Sequence, residues 1–307
     1  MLIKTIPVIL GPTAVGKTAL ALKLAEEIND IEIINVDSRQ IYIGMDIGTA
    51  KPNLEELKKV KHHLIDILHP QEMYSAGKFI NDCNKVIKEI LLKNKKPLLV
   101  GGTGFYINAF FDGLNAPKSD PNIVKEIELR IENEGYENVY NEYLKIDPDS
   151  AKRHDKNNYV KTIRGLSCFY TNGEKYSSFL NKNNVNNEFT PNYIGLDLDR
   201  IKLYNLINNR VDLMYEQGLL NEVETLLKSG VKPNDYGMRT VGYKEAIMYL
   251  NSNLNHEQMI EFTKQSTRRY AKRQITFFKS NKNINWFKNE EYNEIKKLLS
   301  YKNNTFF

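Results

Sequence analysis

Residues Gly11, Pro12, Thr13, Ala14, Val15, Gly16, Lys17 and Thr18 form one uninterrupted stretch whose types and order suit it to hold phosphate. Glycines let successive backbone N–H groups face one anion. The stretch stands between an apolar run, IPVIL, and a helical pattern, TALALKLAEEI, so the positive end of a helix adds to the field. Lys17 supplies a point charge and the Thr18 hydroxyl is a ligand for magnesium. This is the full Walker A pattern, a nucleotide-binding and ATP-binding signature, but kinases, NTPases and enzymes that merely release a diphosphate all use it. ATP hydrolysis calls for a buried strand ending in a magnesium-holding aspartate. The strand best placed for that role, PLLVGGTG, ends instead in Gly101, Gly102, Thr103 and Gly104, where glycines make room for a ligand against the backbone. The acid stands elsewhere: Asp37 closes the apolar run IEIINVD, near the phosphate loop, as a proton acceptor or as a turn cap.

Positioning those residues requires strands that end at one edge. IPVIL, IEIINVD and PLLVGG read as buried strands, and KFINDCNKVIKEILLKNKK reads as an amphipathic helix. The alternation predicts an α/β fold: a doubly wound parallel sheet like that of the P-loop NTPases, with its site at the carboxyl ends of the strands. Between 115 and 192 helical patterns such as NIVKEIELRIENEG and ENVYNEYLKI replace the strands, which predicts an all-helical insertion domain. Within it the tract at 181–188, NKNNVNNE, reads as a solvated loop. NYIGLDLD then returns the chain to a catalytic core made of 1–114 and 193–307, the segment from Leu203 to Gly230 reads as one or two helices, and basic helices follow.

Composition narrows the function classes. With 41% hydrophobic and 26% charged residues in 307, the chain reads as an ordinary globular protein, and no apolar run is long enough to span a bilayer. Cys83 and Cys168 stand far apart, and His62 and His63 lack the partners of a zinc site, so a cytoplasmic monomer with buried thiols is expected. Net charge is only +5, but from Phe262 to Asn289 there is no acid while eight Lys and Arg accumulate. Helical spacing puts Arg269, Lys272, Arg273 and Thr276 on one face, leaving Ile275 and Phe278 to pack. Such a face is either solvated or in contact with a nucleic-acid backbone.

Seven stretches in order, GPTAVGKT, DSRQIYIGMDIGTAKP, HHLIDI, LLVGGTGFY, RVDLMYEQGLLNEV, RTVGYKE and TRRYAKRQITFF, resemble the tRNA dimethylallyltransferase (tRNA isopentenyltransferase) family. The resemblance is to its bacterial type, since no Cys/His finger follows. It implies transfer of the dimethylallyl group of dimethylallyl diphosphate to the exocyclic amine of the adenosine immediately 3′ of the tRNA anticodon. The phosphate loop would then hold a leaving group, with Lys17, magnesium on Thr18 and, by similarity, Arg210 on its charge, and Asp37 as the base. By the same resemblance tRNA contacts fall to Asp37, Ser38, Arg39, Gln40 and Thr103, the last on the opposite rim of a channel. Lys125, Lys161 and Arg164 in the insertion, Arg239, Thr240, Gly242, Tyr243 and Lys244, and Lys272, Arg273, Gln274 and Thr276 complete the set.

The chain departs from the family pattern at NNYVKTIRGL, where Asn158, Lys161 and Gly165 replace an aspartate, an arginine and an alanine, and at Gly104, where a larger residue is common. Rival readings are a P-loop small-molecule kinase, which leaves the basic helix unexplained, an adenylate isopentenyltransferase, which needs no insertion, and a noncatalytic tRNA-binding protein, for which Lys17, Thr18 and Asp37 would have no use.

Overall fold

Apolar runs without alternation must be covered on both sides, and here they are: Ile6, Val8, Ile9, Leu10, Ile33, Ile34, Leu98 and Leu99 are each at most 2% exposed. The structure, a computed structural model, describes residues 4–114, 117, 119–179 and 188–300. The chain falls into two compact units, one of Met1–Phe111 with Asn187–Phe307 and one of Asp112–Asn186.

The larger unit begins with β1 (Lys4–Leu10), α1 (Lys17–Glu27), β2 (Ile31–Val36), α2 (Leu54–Lys59), β3 (His62–His63), α3 (Ala76–Leu92), β4 (Lys96–Gly101) and α4 (Gly104–Phe111). The smaller unit holds α5 (Pro121–Glu134), α6 (Tyr136–Ile146), α7 (Pro148–Ala151), α8 (Tyr159–Asn172) and α9 (Tyr176–Phe179). The larger unit resumes with β5 (Phe189–Leu196), α10 (Arg200–Glu216), α11 (Leu219–Lys228), α12 (Tyr243–Leu250) and α13 (His256–Lys279). It closes with β6 (Asn285–Phe287), a 3-10 turn at Asn289–Glu291 and α14 (Tyr292–Ser300).

The described strands form one sheet in the order β3-β2-β4-β1-β5-β6, with every pairing parallel. Alternation along the strands divides their side chains between two faces. Ile9, Ile33, Leu98, Val100, Ile194 and Leu196 pack with Leu20 and Leu24 of α1, Leu203 and Ile207 of α10, Ala271 of α13 and Ile295 of α14. Tyr193 points the other way, its ring 5.9 Å from that of Phe111 in α4. No helix among the described residues is long and apolar enough to cross a membrane.

Strand β5 begins at Phe189 rather than at Asn192. Pro191 reads as a breaker, yet it pairs with Ile6 of β1, and pairing with β6 starts only at Ile194, so its missing N–H costs no bond on that side. The segment from Leu203 to Gly230 is two helices, α10 and α11, broken where Gly218 turns left-handed at φ 102°. Of the asparagine-rich tract expected as a loop, 181–187 lie outside the described residues. In the smaller unit Ile127, Val139, Tyr143, Ala151 and Leu166 make a separate core. A Cβ on Gly165 would stand 2.1 Å from the Tyr143 ring, so the glycine at that position is what admits the tyrosine.

Candidate active site

Register builds the site. Leu10 pairs with Gly101, and Gly101 with Val36, so β1, β4 and β2 end level. The phosphate loop, the Asp37 turn and the Gly102–Gly104 turn therefore leave the sheet at one edge, around a cavity of about 490 Å3 lined by Thr13, Lys17, Thr18, Asp37, Gln40 and Arg210, among others.

Lys17 folds back over the loop and donates from Nζ to the carbonyls of Gly11 (3.0 Å) and Pro12 (2.7 Å). Burial pushes its pKa down to about 8, with Asp37 pulling it up and Arg210 pushing it further down. Arg210 is also lowered by burial and held up by Asp37. Two cations thus share Asp37 as counter-charge. One Asp37 oxygen accepts from the Arg39 N–H at 2.8 Å, an Asx turn, so the cap role and a second, available carboxylate oxygen coexist in one residue.

The glycines at 101, 102 and 104 make room for neighbouring parts of the protein. A Cβ on Gly101 would lie 2.1 Å from the Val36 carbonyl oxygen, one on Gly102 2.3 Å from Gln274 Nε2 and one on Gly104 2.4 Å from the Phe277 ring. Protein fills that space, and a side chain at 101 cannot fit, so the strand end where an ATPase carries its acid has no place for one. Thr103 is not on an opposite rim: its hydroxyl accepts from the Ser38 N–H at 3.1 Å, tying the two turns together. Gln274 turns inward from the basic face; its Oε1 accepts from Thr13 N (2.9 Å) and its Nε2 donates to Gly102 O (2.9 Å). It clamps the phosphate loop to α13, leaving Lys272, Arg273 and Thr276 exposed on that helix. Tyr270, one turn before Gln274, lines the cavity too, its hydroxyl raised by burial and by Asp37 and hydrogen-bonded to Thr103. Its ring lies under the Arg273 guanidinium, 5.8 Å away. The sequence reading missed Tyr270; its signal is the i, i+4 pairing with Gln274 inside a basic run.

RTVGYKE divides between surface and interior. Arg239 and Lys244 are exposed, Arg239 donating to the Asn234 carbonyl at 3.0 Å. Thr240 is 7% exposed and donates to Gly237 O at 2.6 Å, Gly242 is buried, and Tyr243 is fully buried. All three lie in the interior, where they shape the fold. The Tyr243 hydroxyl donates to Glu222 at 2.5 Å, and the same carboxylate accepts from the N–H groups of Asp46 (2.9 Å), Ile47 (2.8 Å) and Gly48 (3.3 Å). Lys51, its side chain 3% exposed, donates to Tyr42 O (2.9 Å), Asp46 (2.5 Å) and Asp66. The loop so pinned presents the carbonyls of Thr49 (3.1 Å) and Ala50 (3.0 Å) to Gln40 Nε2 and fixes that side chain at the cavity wall. Replacing Glu222 with Gln turns an acceptor into a donor facing donors, at a cost of about 1–3 kcal/mol. The expected result is a lower Tm and faster amide exchange at 46–48, and unchanged exchange there would show that Glu222 does not hold the loop.

His63 Nε2 contacts Glu32 at 2.6 Å, and His62, which lines the cavity, contacts the Val60 carbonyl through Nδ1 at 2.8 Å. Among the described residues no group of three His, Cys, Asp or Glu is placed to hold a metal ion. Within the smaller unit Lys125 and Lys161 are exposed, whereas Arg164 spends its guanidinium on Ser119 Oγ (2.8 Å) and Pro117 O (2.6 Å). Asn158 caps α8 through the Lys161 N–H at 3.2 Å, a task in which it equals the aspartate it replaces.

The chain is similar to known proteins over nearly its whole length. The IPP transferase family model matches residues 40–281, beginning just after Asp37. A tRNA dimethylallyltransferase of Alkaliphilus oremlandii is 42% identical over 297 residues, 96% of this chain and 95% of its own. The crystal structure of a full-length tRNA isopentenylpyrophosphate transferase from Bacillus halodurans matches with a TM-score of 0.71 at 37% identity, covering 97% of this chain and 96% of that one. That of a eukaryotic dimethylallyltransferase acting on tRNA matches with a TM-score of 0.80 at 28% identity, covering 98% and 79%. Family match, identity and coverage together make this chain, with its P-loop-like parallel sheet, a member of the IPP transferase family.

Proposed function

We propose that this chain transfers the dimethylallyl group of dimethylallyl diphosphate to the exocyclic amine of the adenosine immediately 3′ of the tRNA anticodon, releasing diphosphate. The observation that carries the reading is the convergence of a phosphate loop and a carboxylate, Asp37, on one cavity with Lys17 and Arg210. In the reaction the allylic carbon–oxygen bond breaks, a carbon–nitrogen bond forms, and the amine proton passes to Asp37. Negative charge collects on the departing diphosphate, where the loop N–H groups, Lys17 and Arg210 meet it. An adenine amine is a weak nucleophile because its lone pair is drawn into the ring. A carboxylate accepting its N–H raises its reactivity. The base reaches the cavity only by leaving its stack, and Tyr270 and Gln40 offer a ring and a fixed amide at the wall.

A divalent ion fits the donor set. Thr18 brings one hydroxyl to the cavity and, among the described residues, no carboxylate cage surrounds it, the pattern of magnesium held by one protein oxygen and the substrate's phosphates. Such an ion would neutralise leaving-group charge. tRNA contacts of Arg39, Arg239, Lys244, Lys272, Arg273 and Thr276, and of Lys125, Lys161 and Arg164 in the unit 112–186, belong to the same proposal, as does a cytoplasmic monomer.

The test is transfer from radiolabelled dimethylallyl diphosphate, with magnesium, to an anticodon stem-loop or to AMP. Label on the stem-loop alone is expected. Label on AMP would assign the chain to free nucleotides, and label on neither would overturn the proposal.

A further inference from the structure

Helix α13 is a wall shared by two cavities. Tyr270 and Gln274 face the catalytic one, while Lys272, Ile275 and Lys279, on the other side of the helix, face a groove of about 850 Å3 at the carboxyl ends of β5 and β6. Arg200 and Lys202, in the first turn of α10, and Lys288, just after β6, reach the same groove. Lys279 is paired with Asp197 at 3.5 Å. Arg200, Lys202, Lys272 and Lys288 are exposed and, among the described residues, have no carboxylate partner. Of the acids that line the groove, Asp197 also accepts from the Leu198 N–H at 3.0 Å, and Asp199 caps α10 through the N–H groups of Ile201 (2.9 Å) and Lys202 (3.1 Å). Glu290 at the rim brings a further negative charge, and Glu291 accepts from the Lys288 N–H at 2.6 Å. The Arg200 guanidinium lies 5.2 Å from the centre of the Tyr204 ring, which gives the groove an aromatic surface beside its cations. Five cations, Arg200, Lys202, Lys272, Lys279 and Lys288, against three acids, Asp197, Asp199 and Glu290, leave the lining of this one concavity net basic.

We propose that this groove binds backbone phosphates of the same tRNA whose adenosine enters the catalytic cavity, an inference that rests on the proposed function. Exposed cations with an aromatic ring beside one of them suit a phosphodiester chain and its bases. The two cavities open at one edge of the sheet and are separated by a single helix, about 10–12 Å across. A polynucleotide continuing from the flipped base crosses the exposed Arg269 and Arg273 and meets the groove within a few nucleotides.

The experiment compares wild type, Lys202→Glu/Lys288→Glu and Lys202→Ala/Lys288→Ala for binding of fluorescent tRNA over a range of salt, alongside the KM for dimethylallyl diphosphate. Both doubles are expected to bind about tenfold or more weakly at low salt and to lose roughly 0.7–0.9 of salt slope per lysine, with the KM for the diphosphate unchanged. Wild-type affinity and slope in both doubles would overturn the groove and leave the catalytic reading intact. A wild-type protein that binds no tRNA would overturn both.

Discussion

Asp37→Asn is expected to lower kcat for prenyl transfer by about 10²–10⁴ while leaving the Kd for tRNA within a few-fold of wild type. Asn is the informative replacement because Asp37 has two tasks. Its Oδ1 accepts the Arg39 N–H, and an asparagine carbonyl keeps that turn, whereas the adjacent oxygen becomes an amide that cannot take the amine's proton. Asp37→Ala removes both and is expected to cost more. The loss of charge has a second effect, since Asp37 is what holds the Lys17 and Arg210 pKa values up against burial. In either variant the lysine should deprotonate at lower pH than in wild type, weakening diphosphate binding near neutrality. Single-turnover transfer and tRNA binding measured together decide the matter. Retained turnover in the asparagine variant would remove Asp37 as the base, and tRNA binding lost in parallel with turnover would make it a recognition residue.

What was legible in the sequence is what is chemically local. The phosphate loop carries its function within eight consecutive residues, and Asp37 stands at a strand end that apolar runs alone can locate. The unread part joins distant segments. Gln274 bonds a loop residue 261 positions away, and Glu222 reaches back 174–176 positions to pin Asp46, Ile47 and Gly48. A glutamine in a basic run and a tyrosine in VGYKE look like surface residues until the helix is rotated in space, and only then do Gln274 and Tyr243 prove to be inside. The same holds for the glycines after β4, which signal close approach correctly but not by what. Strands β3 and β6, of two and three residues, are too short for any periodicity to reveal.

Lys17→Ala is expected to lower kcat/KM for dimethylallyl diphosphate by about 10²–10³, the loss that follows removal of one preorganised donor from a developing oxyanion. Stability should move the other way. A base whose pKa falls from 10.5 to about 8 on folding opposes folding, fully below pH 8 and progressively less as pH rises through 10.5. The alanine variant should therefore melt no lower than wild type at pH 7, which separates lost charge from misfolding. The same shift predicts a high-pH limb. In wild type kcat/KM for the diphosphate should fall about tenfold per unit above pH about 8, as the free enzyme loses the ammonium. Turnover at saturating diphosphate should stay flat over that range, because a bound anion favours the protonated lysine. Lys17→Ala should lack the limb altogether. An alanine variant that keeps it would assign the titration to another group, and one that melts well below wild type at pH 7 would make Lys17 a structural lysine.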